Sequence, residues 1–123
     1  IQPKNFNFPY SSKLDEPKNS SKLIIEGEIV ASEPIGYSTY FIDGEPIEAG
    51  TNQLILTFSE EATFTDYFNV KSYLKTNHGR LIGQIPPLLQ IQIEIENPEV
   101  HLPVLASFRG VEDVDYNMQT SLD

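Results

Sequence analysis

The chain contains no cysteine and no tryptophan, and it has few histidines. Without cysteine it can form no disulfide, no zinc–thiolate site and no thiol nucleophile. Its two histidines, His78 and His101, lie more than twenty residues apart with no other ligand pattern beside them, so no zinc site is predicted. No apolar run approaches the roughly 20 residues that a membrane-spanning helix needs. We therefore expect no cofactor and no membrane span.

Positive charge is also scarce. Eighteen acidic residues face eight basic ones, which gives a formal net charge of −10. Residues 1–22 carry four lysines against two acids, whereas residues 23–123 carry four basic residues against sixteen acidic ones. A surface this acidic repels phosphate backbones, so we expect no nucleic-acid partner. Two interpretations of the charge stay open, namely solubility and an acidic face for a basic protein partner.

Motifs that carry catalysis are missing as well. The sequence has no Gly-x-Ser-x-Gly element and no glycine-rich phosphate loop. Asp113 and Asp115 are weak calcium candidates, because carboxylates two residues apart could share a hard cation. Their surroundings lack the glycine turn and the distal glutamate of a calcium loop. We predict no catalytic residue, no metal site and no enzymatic activity.

Regular alternation of apolar and polar residues is the strongest positive signal. Residues 89–96 read LQIQIEIE, so every second side chain is a large aliphatic one. Side chains alternate between the two faces of a strand, which predicts an amphipathic β-strand here. We expect Ile91, Ile93 and Ile95 to be buried and Gln92 and Glu94 to be exposed.

Similar runs recur along the chain between turn signals. They predict strands at residues 23–32, 37–42, 53–58, 67–76, 81–85, 88–96 and 100–108, with a last strand through Val114, Tyr116 and Met118. Only residues 59–65 favour a helical turn, with Ser59 as its cap. Seven or eight short strands with one apolar face each predict an all-β fold, an antiparallel β-sandwich in a single domain at residues 23–123.

Residues 1–22 differ from this domain, since they hold three prolines and no sustained period. They predict an extended N-terminal arm or linker. Phe6, Phe8 and Tyr10 alternate within it, which suits either a strand added to a sheet edge or aromatic rings resting on the core. Tyr37 and Tyr40 lie in an aromatic-rich region and are candidates for binding a protein or a sugar.

Four segments, read in order, resemble the major pilins of the alternate chaperone–usher class, the colonisation-factor or alpha-fimbrial subunits. They are IVAS at residues 29–32, FIDGEPI at 41–47, QLILTFSEEATFTDYFNVKSYLKTN at 53–77 and VHLPVLASFRG at 100–110. The resemblance spans residues 29–110. It implies an incomplete immunoglobulin-like sandwich that is exported and polymerised by donor-strand exchange. By position, residues 23–31 would supply the donor strand, with Leu23, Ile25 and Ile29 as partner-binding residues.

We therefore expect a non-enzymatic structural or binding module of the cell surface or periplasm, such as a pilin-like or adhesive subunit. Its partner would be a protein, including other copies of this chain. Because the chain starts at Ile1 rather than Met, we expect a processed or engineered start. Two alternatives stay open. One is a small acidic protein, located in the cytoplasm or elsewhere, that binds and regulates a basic partner as an inhibitor or immunity protein does. The other is an enzyme subunit whose chemistry the residues do not reveal.

Overall fold

The computed structural model describes residues 21–118, and its strands form one antiparallel sheet. The strands are β1 (Tyr37–Ile42), β2 (Glu45–Phe58), β3 (Arg80–Ile85), β4 (Gln90–Glu94) and β5 (Val111–Met118). Helix α1 spans Phe64–Thr76, a short 3-10 helix spans Pro86–Leu88, and helix α2 spans Pro98–Ala106. The prediction of a mostly β, antiparallel protein is confirmed.

Strand β2 organises the sheet because it is long enough to serve two sets of neighbours. Its first half pairs with β1 through a tight turn at Asp43 and Gly44, and its second half pairs with both β4 and β5. Strand β3 then pairs with β4, so that the order is β1-β2-β4-β3 with β5 attached to β2. Every one of these pairs is antiparallel.

One face of the sheet carries the core. Leu54 lies opposite Ile93 and Tyr116, and Leu56 lies opposite Ile91 and Val114. The buried side chains packed with this face include Val70 and Leu74 of α1 and Leu105 of α2, and also Leu23 and Ile25 from the segment before β1. The described residues therefore form one sheet layered against helices, and the two-sheet sandwich predicted from the alternation is not what they form. Helices supply the apolar cover that a second sheet would have supplied.

Residues 67–76, which were predicted to be a strand, belong to helix α1. The buried residues Asp66, Val70 and Leu74 recur every four positions, which is a helical spacing. The helix begins with a capping box, in which Thr63 Oγ1 accepts from the Asp66 amide at 3.3 Å and Asp66 Oδ2 accepts from the Thr63 amide at 2.9 Å. The cap predicted at Ser59 was therefore wrong by four residues. Aromatic and β-branched residues mimic a strand here, and the capping box overrides them.

Residues 100–108, also predicted to be a strand, are mostly helix α2. Pro98 is its first residue, a position where the missing amide hydrogen costs nothing. Pro98 and Leu105 are buried and lie seven residues apart, which is close to two helical turns. Pro103 lies on the exposed side of this helix. The Asn97–Pro98 pair is therefore the start of a helix.

The remaining strand predictions divide into confirmed and corrected ones. Strand β1 has the predicted bounds. Strand β3 contains the predicted residues 81–85, β4 lies within the predicted residues 88–96, and β5 is the predicted last strand. Residues 23–32 form no strand, because their ladder pairing is limited to an isolated bridge at Val30, with another at the preceding Lys22. Residues 1–20 lie outside the described part, so the division between an arm and a domain at residue 22 stays a prediction.

Strand β4 confirms the predicted burial of its isoleucines and corrects one of its polar positions. Ile91, Ile93 and Ile95 are buried. Gln92, predicted to be exposed, is only 9% exposed. The reason is that residues 30–34 pass over the polar face of the sheet, and the Ser32 amide donates to Gln92 Oε1 at 2.9 Å.

We expect Ile93→Ala to lower the free energy of unfolding by about 2–5 kcal/mol, because it removes buried methyl groups and leaves a cavity. The matched control is Ile35→Ala, which changes a fully exposed isoleucine and should cost less than about 0.5 kcal/mol. Urea unfolding followed by circular dichroism measures both changes. Equal costs at the two positions would contradict the assignment of the core face.

Candidate functional site

Residues 22–36 form an extended segment, here named the strap, that follows the edge of the sheet and then crosses its polar face. At its start the Leu23 amide donates to the Ala62 carbonyl at 2.8 Å. In its middle Val30 pairs with Gln84 of β3 through two backbone hydrogen bonds of 2.9 and 2.8 Å. The strap therefore covers part of the outer edge of β3, which would otherwise present unpaired backbone groups.

The Gln84 side chain clamps the middle of the strap. Its Nε2 donates to the carbonyl oxygens of Glu26 and Glu28, each at 3.0 Å. Gly27 lies between them with φ 106°, and a Cβ there would come within 2.8 Å of Gln84 Nε2. Residues 26–31 are all exposed. Hydrogen bonds to Gln84, rather than apolar burial, therefore hold this part of the strap.

A second amide side chain, that of Gln92, holds the strap where it turns across the sheet. Gln92 Oε1 accepts from the Ser32 amide, and Ser32 Oγ donates to the Ile82 carbonyl. Gly83 lies directly beneath this crossing. A Cβ at Gly83 would overlap Gln92 Oε1 and lie 2.6 Å from the Val30 carbonyl oxygen. The absence of a side chain at residue 83 therefore lets the strap lie close against the sheet.

The strap and the β1–β2 hairpin that follows it expose an unusual amount of apolar surface. Twelve large hydrophobic residues are exposed among residues 21–118, and seven of them lie between residues 24 and 42. These seven are Ile24, Ile29, Val30, Ile35, Tyr37, Phe41 and Ile42. Ile35 is fully exposed and Phe41 is 64% exposed. We name residues 24–48 the acidic–apolar strip.

The charge of this strip has a single sign. Its acidic residues are all exposed and are Glu26, Glu28, Glu33, Asp43, Glu45 and Glu48. No lysine or arginine occurs between Lys22 and Lys71. Over this stretch the chain therefore presents apolar side chains among carboxylates with no compensating cation in the sequence. Such a surface is electrostatically complementary to a partner that borders its own apolar surface with lysine or arginine.

A cleft of about 530 Å³ lies between the strap and the end of the sheet. Its mixed polar and apolar lining includes Ile35 of the strap and Asn52 and Gln53 of β2. Two further lining residues, Arg80 and Glu94, form an ion pair in which Nε and Oε1 are 2.6 Å apart. The mixed lining and the fully exposed Ile35 side chain suit the side chain of a bound protein better than an enclosed small molecule.

The residues predicted to bind a partner lie in different environments in the structure. Phe6, Phe8 and Tyr10 lie outside the described residues. Leu23 and Ile25 are buried in the core of their own domain. As arranged here, these two side chains are not available to a neighbouring subunit.

Ile29 and Tyr37 are exposed and belong to the acidic–apolar strip. Tyr40 is half-buried, and its ring stacks on that of Tyr116 with centroids 4.6 Å apart. Tyr40 Oη accepts from the Asn52 amide at 2.9 Å. Burial, followed by the charge of Glu99, raises the pKa of the Tyr116 phenol. Tyr40 therefore fixes the hairpin to the sheet. Of the two binding candidates Tyr37 and Tyr40, Tyr37 is the one whose side chain a partner could contact.

The calcium candidates lie in a strand rather than a loop. Asp113 and Asp115 share one face of β5, opposite Thr57 and Ile55 of β2. Asp115 Oδ1 accepts from the adjacent Tyr116 amide at 3.1 Å. Among residues 21–118 no three histidine, aspartate or glutamate side chains come together as a metal site would require.

His101 lies in α2, within the residues predicted to be a strand, and it joins the two helices. Its Nδ1 shares a hydrogen bond of 2.7 Å with Tyr73 Oη, and the Tyr73 ring also contacts Phe108 edge-on. His78 lies in a turn with φ 61°. Both histidines therefore have a structural explanation.

Sequence reasoning missed the two glutamines that position the strap. No signal could have found Gln84, because its side-chain partners are backbone carbonyls more than fifty residues earlier. The strip itself did have a signal, since the stretch between Lys22 and Lys71 lacks any basic residue.

Comparison with known proteins identifies no relative of this chain. No family model matches the chain, and neither does any curated protein or solved structure. Within the described part of the chain, no helix has both the length and the apolar character needed to cross a membrane.

Proposed function

We propose that this protein is a non-enzymatic binding module that docks its acidic–apolar strip onto a protein partner. The partner would carry an apolar surface bordered by lysine or arginine residues. A position at the cell surface or in the periplasm stays a prediction from the sequence, as does the resemblance to pilins.

One observation carries this proposal. Seven of the twelve exposed large hydrophobic residues of the described part lie within residues 24–42. Contiguous exposed apolar surface is costly for a soluble protein and marks interaction sites. The hydrogen bonds from Gln84 and Gln92 fix the strap on the sheet, so a partner would meet a surface that is already ordered. Pre-ordering lowers the entropic cost of binding.

The carboxylates of the strip give the partner its expected charge. Six acids and no base lie within residues 24–48. Charged groups around an apolar contact accelerate encounter and reject partners of the same sign. This arrangement favours the interpretation as an acidic protein that binds and regulates a basic partner.

Assembly by strand addition is a second candidate, and it is favoured by the way the strap meets β3. Val30 joins Gln84 through a single pair of backbone hydrogen bonds, and the flanking residues form no further ladder. A strap whose ladder pairing with β3 is limited to this one pair could leave its own sheet and pair with the same edge in another copy. This is the form that the pilin resemblance would take in this structure.

A photo-reactive amino acid at Phe41, introduced into the full chain in the cells that express it, tests the first proposal. We expect one major covalent adduct, with a protein whose surface is basic around the cross-linked site. The same amino acid at Leu88, which is exposed far along the chain from the strip, is the matched control and should give no such adduct. Mass spectrometry identifies the partner and the cross-linked residue.

Charge reversal at two acids of the strip provides a further check on the cross-linking result. The double change Glu26→Lys and Glu28→Lys keeps the carbonyls that bind Gln84 but reverses two charges. It should weaken the adduct. Identical adducts from residues 41 and 88, or none from residue 41, would contradict the proposal.

Strand addition is tested by mixing two single variants, Val30→Cys and Gln84→Cys, under mild oxidation. The chain has no other cysteine, and Cα atoms of a hydrogen-bonded antiparallel pair lie about 5.5 Å apart, within the span of a disulfide. If straps exchange between copies, a disulfide-linked dimer should form in the mixture. A mixture of Val30→Cys with Glu112→Cys is the control. Equal yields in the two mixtures would rule out strap exchange.

A further inference from the structure

A groove of about 360 Å³ lies between helix α1 and the start of strand β3. Its lining is largely apolar, with Leu74 buried, Leu81 partly buried and Phe68 58% exposed at its rim. This groove is separate from the acidic–apolar strip, and it shares Arg80 with the cleft beside Ile35.

Most of the positive charge of the domain lines this groove. The described residues contain five basic side chains, and Lys71, Lys75 and Arg80 are three of them. Arg80 is held by Glu94, while Lys71 lies 5.4 Å above the Tyr67 ring. Neither lysine forms an ion pair with any residue between 21 and 118. In a protein with fifteen acidic residues over the same range, this concentration of cations at one apolar groove favours an anionic occupant.

The β1–β2 hairpin has the complementary properties. At its end Phe41 and Ile42 are exposed. The acids beside them, Asp43, Glu45 and Glu48, are exposed too. An apolar surface with three carboxylates on the hairpin thus matches an apolar surface with two unpaired lysines in the groove.

We propose that the groove binds the β1–β2 hairpin of a second copy of this chain. The inference rests on the proposed function, since it names a second copy as the partner of the hairpin part of the strip. Phe41 and Ile42 would contact Phe68 and Leu81, and the hairpin acids would face Lys71 and Lys75. The two surfaces are different, so the contact is heterologous, and each added copy leaves one free hairpin and one free groove. The expected product is a chain or ring of subunits.

Sedimentation of the full-length protein over a range of concentrations tests this arrangement. We expect species larger than a monomer to form as concentration rises, and to dissociate as salt is added. Salt should act because the screening length falls from about 30 Å at 0.01 M to about 3 Å at 1 M.

Two variants block one surface each. The groove variant is Lys71→Glu with Lys75→Glu, and the hairpin variant is Asp43→Lys with Glu45→Lys. Each should be monomeric alone. Mixed together they should associate again, because each pair holds one intact hairpin and one intact groove, and the reversed hairpin and the reversed groove are also opposite in charge. Lys22→Glu and Glu112→Lys make single charge reversals of each sign outside both surfaces, and these control proteins should associate as the unchanged protein does.

Circular dichroism and urea unfolding of each variant establish that it is folded before its association is interpreted. A protein that stays monomeric at every concentration would overturn the inference, and so would association that survives in the groove variant. A mixture of the two variants that remains monomeric would overturn it as well. The cross-linking experiment at residue 41 is independent of these association measurements. If the protein does not associate with itself but residue 41 cross-links to a different protein, the second copy is not the partner and the proposed function still stands.

Discussion

The contact between Gln84 and the strap is the interaction on which the functional surface depends. Gln84 bonds the strap four times, through two backbone bonds to Val30 and two side-chain bonds to the carbonyls of Glu26 and Glu28. Residues 26–31 are all exposed, with Val30 about half covered. A segment with little apolar burial relies mainly on hydrogen bonds to offset the entropy of ordering it. Without Gln84, residues 26–30 would lose the hydrogen bonds that hold them on the sheet.

Magnitudes indicate why the strap is anchored in two ways. Burial of Leu23 and Ile25 at its start is worth about 1.5–3 kcal/mol for each side chain, whereas each hydrogen bond in its middle contributes about 0.5–1.5 kcal/mol. The apolar anchor therefore fixes where the strap begins, and the amides fix where its middle lies. Because the strap is positioned in this way, Ile29, Val30 and Ile35 are not needed in the core and remain exposed. The strap exposes these residues because polar groups position it.

Period-two alternation predicted four of the five strands at the right places, because strands with one buried face carry that pattern directly. It failed at α1 and α2, where aromatic and β-branched residues imitate a strand while Thr63–Asp66 and Pro98 start helices. It also failed at Gln92, whose burial comes from a segment sixty residues earlier. Long-range contacts of this kind leave no local signature. The acidic–apolar strip is an intermediate case, since its charge is visible in the sequence and its exposure is not.

Hydrogen exchange at the strap tests the central claim most directly. Gln84→Ala removes the two side-chain bonds, so the hydrogen-bonded amides of Val30 and Ser32 should exchange about tenfold faster or more, as the loss of two bonds of about 0.5–1.5 kcal/mol each implies. Peptides from β2 and β4 should keep their rates. Gln90→Ala, which removes a glutamine that bonds Thr57 instead, should leave the strap unchanged. If the strap exchanges at the same rate in the Gln84→Ala protein as in the unchanged one, Gln84 does not hold it, and the ordered strip has another origin.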